Sequence, residues 1–337
     1  MDLIPNVDQQ QISDLAADFM QNELPLSRFH DGAEMPIGPL RTMMAEMGWL
    51  AISLPEDAGG AGFGPVEEVL ILRQLGRVVG PTFMVSSLLG AKFADAQQLP
   101  GVRDDIAGGR RGVALAIAEA PLAVGPGGIA GRATVYDAAD ADYALAFAGG
   151  EAFLLGMEGA RITPVPWLDA ATSVAHLDLN DLPVVARGVG EALFLNGALL
   201  TAAMLTGLAE GAVSMIQDYA KVRETFGRKI GAYQAVRHPI AEGAARSEHA
   251  KALLHYSALA FAAGRADAEL QVRSAKLIAH RAASRNADIN IQLHGGIGIT
   301  EELAAHRFMK RALMLSHWFG GRKEHLDALL DAPLLTI

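Results

Sequence analysis

The chain has 337 residues, enough for more than one hydrophobic core, and its 28 basic and 38 acidic residues give a net charge of −10. That balance argues against the electropositive footprint of a nucleic-acid or anionic-membrane binder. Cysteine is absent, which excludes disulfides, thiolate nucleophiles and Cys-ligated zinc or iron–sulfur sites. An apolar content of 51% with only 6% aromatic residues suits closely packed, alanine-rich helices better than a β-sandwich.

In chain order, Ile12, Leu15, Ala16, Phe19 and Met20 predict an amphipathic helix over 8–24. Pro36 and Pro39 punctuate a loop, with a second helix over 39–47. The apolar run 48–54 leads into a Pro- and Gly-rich loop, Pro55-Glu56-Asp57-Ala58-Gly59-Gly60. Pro65 suits the first turn of a helix reaching Arg77, and another helix covers 83–95. Strands are expected at 113–117, 132–136, 143–147, 152–155 and 161–165, between Gly, Asp and Pro clusters. Helix returns over 192–222, with Leu205, Leu208, Ala212, Met215, Ile216 and Tyr219 on one stripe. Pro239 is expected to begin the next helix, Gly264 to stop it, and Asp267 to cap its successor. Ala275, Ile278, Ala279, Ala282 and Ile289 mark a face of helix 274–291, and 303–315 resumes the pattern. The expected organisation is a helical domain over 1–107, a small β-domain over 108–187 and a helical bundle over 188–337.

The N-terminus, Met-Asp-Leu-Ile-Pro, lacks the basic region and apolar run of a secretory signal. The longest apolar stretch, 192–209, is interrupted by Asn196, Gly197 and Thr201, so no membrane span is expected. A soluble cytoplasmic protein is the expectation. No metal site is expected either.

Two stretches point to chemistry. Gln292-Leu293-His294-Gly295-Gly296-Ile297-Gly298 interrupts a helical pattern with three glycines in four positions. Glycine costs about 1 kcal/mol against alanine inside a helix, so an irregular turn is expected there. Such a turn lets a bulky ligand approach the backbone and aims free N–H groups that suit a phosphate. The second stretch is Arg223-Glu224-Thr225-Phe226-Gly227, followed by Gln234. A guanidinium suits phosphate oxygens. Taken singly, the glycines could form a plain interhelical turn, Arg223 a surface cation, Phe226 core, and the two glutamines helix surface.

In this order the two stretches resemble the paired signatures of the acyl-CoA dehydrogenase family. The loop 54–60 resembles that family's N-terminal Pro-Glu…Gly-Gly element. The resemblance implies a mainly α fold with a small middle β-barrel-like domain and a C-terminal four-helix bundle. It also implies FAD shared between two subunits, with the isoalloxazine on one β-domain and the ADP moiety on the neighbour's bundle. Carried over, Arg223 pairs with the pyrophosphate and Thr225 belongs to the same motif. Phe226 packs near the adenine and ribose, Gln234 and Gln292 hydrogen-bond the ADP moiety, and Gly295 and Gly296 admit it.

The departures from the family are specific. Its α-proton base is a glutamate just before a glycine, downstream of the glycine motif, where this chain has Phe319-Gly320. A second family location for the base, 26 residues before the motif arginine, is Gly197, beside Ala198 where an arginine is frequent. The Thr-Glu-Pro…Gly-Ser element that holds the isoalloxazine becomes Ala118-Glu119-Ala120-Pro121-Leu122-Ala123-Val124-Gly125. The family's Trp-Ile/Thr strand has no clear match near 143–147. No residue of this chain is therefore assigned as catalytic; Glu301, Glu302, His294, His317, Asp288 and Glu191 are weak candidates.

Loss of the base and ring-side positions with retention of the adenosine side leads to one expectation. The chain works beside a related catalytic subunit, similar to the heteromeric α2β2 acyl-CoA dehydrogenases of bacterial steroid degradation, on an acyl-CoA substrate, with an electron-transfer flavoprotein as acceptor. A self-sufficient homo-oligomer with a relocated base and a non-enzymatic scaffold are the alternatives.

Overall fold

Asn6 opens the first helix through a capping box: its side chain accepts from the Gln9 amide at 2.8 Å, and its own amide donates to Gln9 Oε1 at 3.0 Å. The computed structural model describes residues 4–30, 36–169 and 171–332. The helices before the sheet are α1 (Val7–Glu23), α2 (Ile37–Glu46), α3 (Pro65–Arg77), α4 (Phe83–Ala96) and α5 (Pro100–Ala107). Pro39 falls within the first turn of α2, where its missing N–H costs nothing, and the apolar run 48–54 holds a 3₁₀ turn, Trp49–Ala51, with a second, Glu56–Ala58, in the loop that follows.

Nine strands follow: β1 (Val113–Ala118), β2 (Ala123–Gly125), β3 (Gly128–Ala130), β4 (Arg132–Tyr136), β5 (Tyr143–Ala148), β6 (Glu151–Gly156), β7 (Ile162–Pro164), β8 (Val174–Asp178) and β9 (Val184–Val189). Seven form one sheet in the order β7-β8-β4-β1-β5-β6-β9, and β2 and β3 form a separate hairpin. Alternation sets the two faces of the sheet. Ala114, Ala116, Ala133, Val135, Ala175 and Leu177 share a buried cluster, so the residues between them on β4 and β8 belong to the opposite face.

The remainder is α6 (Glu191–Val222), a two-strand ribbon β10 (Glu224–Thr225) and β11 (Arg228–Lys229), α7 (Gln234–Ala262), α8 (Ala268–His294), α9 (Ala305–Leu315) and α10 (Arg322–Asp331). The described residues are thus mainly α, with one seven-stranded sheet between two helical stretches of the sequence. Although α6 is long and apolar enough to cross a membrane, most of its apolar stretch is buried inside the protein.

The described residues divide into two units. One holds 4–30, Pro65–Gly80 and 198–332; the other holds 36–64 and 81–197 apart from residue 170. In the first, α3 and α6 touch backbone to backbone: a Cβ on Gly76 would overlap the Met204 carbonyl oxygen, and one on Gly207 the Arg73 carbonyl oxygen. Only glycine permits that approach. Asn286 on α8 joins three helices, donating to Ala209 O at 3.1 Å, Gly243 O at 3.0 Å and Ser247 Oγ at 2.9 Å. In the second unit, Ser86 Oγ on α4 donates to Val113 O at 2.5 Å, and Thr82 donates to Asp137 at 2.6 Å.

Three local expectations need correction. Pro239 does not begin a helix but lies within α7, which starts at Gln234. The preceding ribbon and a 3₁₀ turn at Ile230–Ala232 fix that start, and the ring occupies the second turn at the loss of one main-chain donor. Asp267 stands at the N-cap of α8 without capping it; Arg265 Nε at 2.8 Å claims its carboxylate. On α8 the buried stripe includes Lys276, Asn286 and Asn290, while Ile278 and Ile289 are half-buried.

Candidate functional site

The two motifs lie at one end of the bundle. Tyr219 on α6 stacks on His294 at the end of α8, with ring centroids 4.4 Å apart. Arg223 follows Tyr219 by one helical turn, and its amide donates to Tyr219 O at 2.9 Å. His294 Nδ1 is 2.7 Å from Asn290 O, and burial pushes the imidazole below its ordinary pKa. It acts as a fixed structural ring and does not offer a free base. Tyr233, next to Gln234, and Leu293, next to Gln292, pack against one cluster formed by Val213, Ile216, Ala220, Ile230 and Ile240.

Between these anchors the ribbon β10–β11 turns through Phe226 and Gly227, both with positive φ (49° and 79°). Successive positive φ values make a tight hairpin turn whose twist matches the two strands. Phe226 is 98% exposed at its tip, so it is not core. The Tyr233 hydroxyl donates to Thr225 O at 2.9 Å, and Arg228 covers the Tyr233 ring at 4.0 Å, which holds the ribbon to the bundle. Among the described residues the Arg223 side chain has no hydrogen-bond or ion-pair partner, and Gln234 and Gln292 are exposed.

The glycine stretch is a 3₁₀ turn, Gly295–Ile299. Gly295 has φ 70° and ψ −147°, a conformation kept for glycine. A Cβ at Gly295 or Gly296 would meet nothing within 4 Å, whereas one at Gly298 would press on Ile291 O. The first two glycines face open space and the third packs against the helix. An exposed guanidinium, two carboxamides and two open glycines fit the charge and bulk of an ADP moiety.

The former base position differs in character. Phe319 is 3% exposed and has φ 50°. Beneath its loop, the Lys276 amine, 2% exposed, donates to Leu315 O at 2.9 Å and Trp318 O at 2.8 Å. Burial holds this amine down at about 7. His325 is buried alongside and held down at about 4, chiefly by burial. Neither residue stood out in the sequence; the one signal is a lysine next to Ala275 and three before Ala279, on the buried face of α8. Ala198 is fully buried, with no arginine in its place.

At the ring-side element, Glu119 is already engaged. It accepts from Thr134 Oγ1 at 3.1 Å, contacts His176 Nδ1 and lies 3.5 Å from Arg132 Nε. Nearby, Arg187 grips Glu151 through two bonds of 2.9 and 2.7 Å and donates to Gly125 O at 2.8 Å, fixing the β2–β3 hairpin. The weak candidates also find other roles. Glu301 pairs with Arg307 at 2.7 Å, and Asp288 with Arg285 at 3.1 Å.

Comparison with known proteins identifies the family. The profile of the acyl-CoA dehydrogenase C-terminal domain matches residues 188–332, and that of the acyl-CoA dehydrogenase N-terminal domain matches 6–98. The chain belongs to the acyl-CoA dehydrogenase family. It is 30% identical over 272 residues to acyl-CoA dehydrogenase IpdE2 of Mycobacterium tuberculosis, covering 81% of this chain and 79% of that protein. It is also 30% identical over 304 residues to acyl-CoA dehydrogenase FadE34 of the same organism, covering 87% of this chain but only 42% of FadE34. Among solved structures, a chain of the ChsE4–ChsE5 complex from M. tuberculosis superposes with a TM-score of 0.87 at 25% identity, covering 99% of this chain and 100% of that one.

Proposed function

We propose that this chain is a subunit of an FAD-dependent acyl-CoA dehydrogenase that works only beside a related subunit carrying the catalytic glutamate. The observation that carries the reading is Phe319: the family's base position holds a buried aromatic ring. α,β-Dehydrogenation needs a carboxylate to take the α-proton, and a phenyl ring cannot. The bound flavin would accept the β-hydride.

This chain's own residues serve the adenosine half of the cofactor. Arg223 meets the phosphate charge, Gly295 and Gly296 let the ligand come close, and Gln234 and Gln292 offer carboxamides. Phe226 presents its ring from a ribbon oriented through Thr225. Glu119, occupied by Thr134 and His176, supports the absence of a ring cradle here. A self-sufficient enzyme would need a relocated base. Burial raises the pKa of Glu210, against Arg73, Arg77 and Lys251, but this carboxylate lies 12 residues along α6 from Ala198, about 18 Å on a straight helix.

By analogy with the ChsE4–ChsE5 complex, the partner is a related subunit, in an α2β2 assembly. The substrate class is an acyl-CoA, with a steroid-derived acyl group as the specific suggestion. An electron-transfer flavoprotein is the acceptor, and the setting is cytoplasmic. The test is Arg223→Ala in the assembled enzyme. Flavin retention falls by the worth of one charge-assisted contact, about 1.5–3 kcal/mol, while melting is unchanged. Unaltered flavin affinity at low and high salt makes Arg223 a surface cation only.

A further inference from the structure

We propose that the outer face of the sheet at its β7 edge is a binding site for a phosphate monoester, separate from the Arg223 end of the bundle. Strand register builds it. Arg132 on β4 opposes Asp178 on β8, and the Asp178 amide bonds to the main-chain oxygen of Arg161, just before β7. One step along the same face, Thr134 opposes His176, which opposes Thr163. Two adjoining rows therefore place an arginine on either side of a carboxylate, and a threonine on either side of a histidine. The Cα atoms of the two arginines are two interstrand spacings apart, about 10 Å, a gap that two long guanidinium side chains can close around one tetrahedral anion.

Arg132, Arg161, Thr163 and His176 line a cavity of about 510 Å³ there. Two carboxylates stand beside it, each with partners of its own. Asp178 accepts from the Asn180 amide at 3.0 Å and from Asn180 Nδ2 at 2.6 Å, and Glu119 is held by Thr134 and His176, with Arg132 Nε at 3.5 Å. Among the described residues the side chains of Arg161 and Thr163 have no partner. The Arg161 guanidinium and the Thr163 hydroxyl, with Arg132 across the strand row, converge on a concave site that suits a phosphate group. His176, its Nδ1 in contact with Glu119, lines the same cavity.

The test is calorimetric titration of the full chain, in its native assembly, with inorganic phosphate and separately with AMP and adenosine. Saturable phosphate binding is expected in the millimolar range or tighter. Arg161→Gln and Arg132→Gln each weaken it about tenfold, with melting unchanged because both side chains are exposed. Arg223→Ala leaves this binding intact, which separates the site from the cofactor reading. AMP binding tighter than phosphate, with adenosine inert, identifies a nucleotide-borne phosphate; equal binding identifies free phosphate as sufficient. Absence of saturable binding, binding unaffected by both arginine changes, or binding lost only in Arg223→Ala overturns the proposal.

Discussion

The Lys276 amine donates to the Trp318 carbonyl oxygen at 2.8 Å, directly beneath the loop that holds Phe319. Its second bond, to Leu315 O at 2.9 Å, satisfies a carbonyl at the end of α9. A neutral amine still has two N–H donors, so both bonds survive loss of the charge.

That bond has a pH signature. Burial holds Lys276 at about 7 in the folded chain, against 10.5 for an ordinary lysine. Between these values the unfolded chain binds more protons, so stability rises with pH from about 7 to about 10.5 and is insensitive to this group below 7. Lys276→Met abolishes that rise and strips the Trp318 carbonyl of its lysine donor, while Leu315 O keeps the Trp318 amide at 3.3 Å, costing about 1–3 kcal/mol at pH 7. Denaturant melts of both proteins at pH 7 and pH 9.5 check both effects.

The acid side has the same origin in two histidines. Burial pushes His255 and His325 down to about 4, with Arg73 and Lys276 among the cations that add to it. Both rings are neutral in the folded chain at pH 5 and charged in the unfolded chain. Their contribution is complete above about 6.5 and is lost as pH falls toward 4. Melting temperature across pH 7 to 4.5 should fall, and a His255→Gln, His325→Gln double variant should fall less steeply over that interval.

Glycines in the bundle separate packing from access. Gly207→Leu drives a side chain into the Arg73 carbonyl and destabilises by about 3 kcal/mol or more. Gly296→Leu meets open space, so melting changes by no more than about 0.5 kcal/mol. Flavin retention in the assembled enzyme nonetheless falls. Thermal melts and flavin absorbance of the two variants measure these effects.

Much of the fold was legible where one apolar stripe was long enough. The helix from Pro65 to Arg77 matches its expected limits, and the long α6 differs by one residue at its start. The strands β8 and β9 were not legible: β8 alternates over only five residues, and β9 follows directly on Pro183. The last helix, α10, buries only His325 and so shows no stripe. At the site, the positions of Arg223, Gln292 and the glycine pair could be read from their spacing. What holds them could not, because Tyr219 on His294 joins residues 75 apart in sequence, and Tyr233 reaches Thr225 only once the ribbon has turned. Phe226 could be named but not its complete exposure, which follows from two positive φ values at a hairpin tip.

The vacant base position carries its own prediction. Phe319 is buried, so Phe319→Glu places a carboxyl in an apolar site where it stays protonated or disturbs packing. Provided the variant keeps its melting temperature, turnover of the heteromer should neither rise nor fall appreciably. Glu→Gln at the partner's own base should abolish turnover and leave flavin bound. Steady-state kinetics with paired flavin spectra distinguish the two.

The most direct measurement is the flavin content and dehydrogenase turnover of this chain purified alone, set beside the complex recovered with it from its native host. The account predicts a chain that alone binds FAD weakly or not at all and is inactive, and a native complex containing a larger related subunit with the missing glutamate, bound flavin and acyl-CoA turnover. A stoichiometric yellow homo-oligomer of this chain that oxidises an acyl-CoA unaided would contradict it.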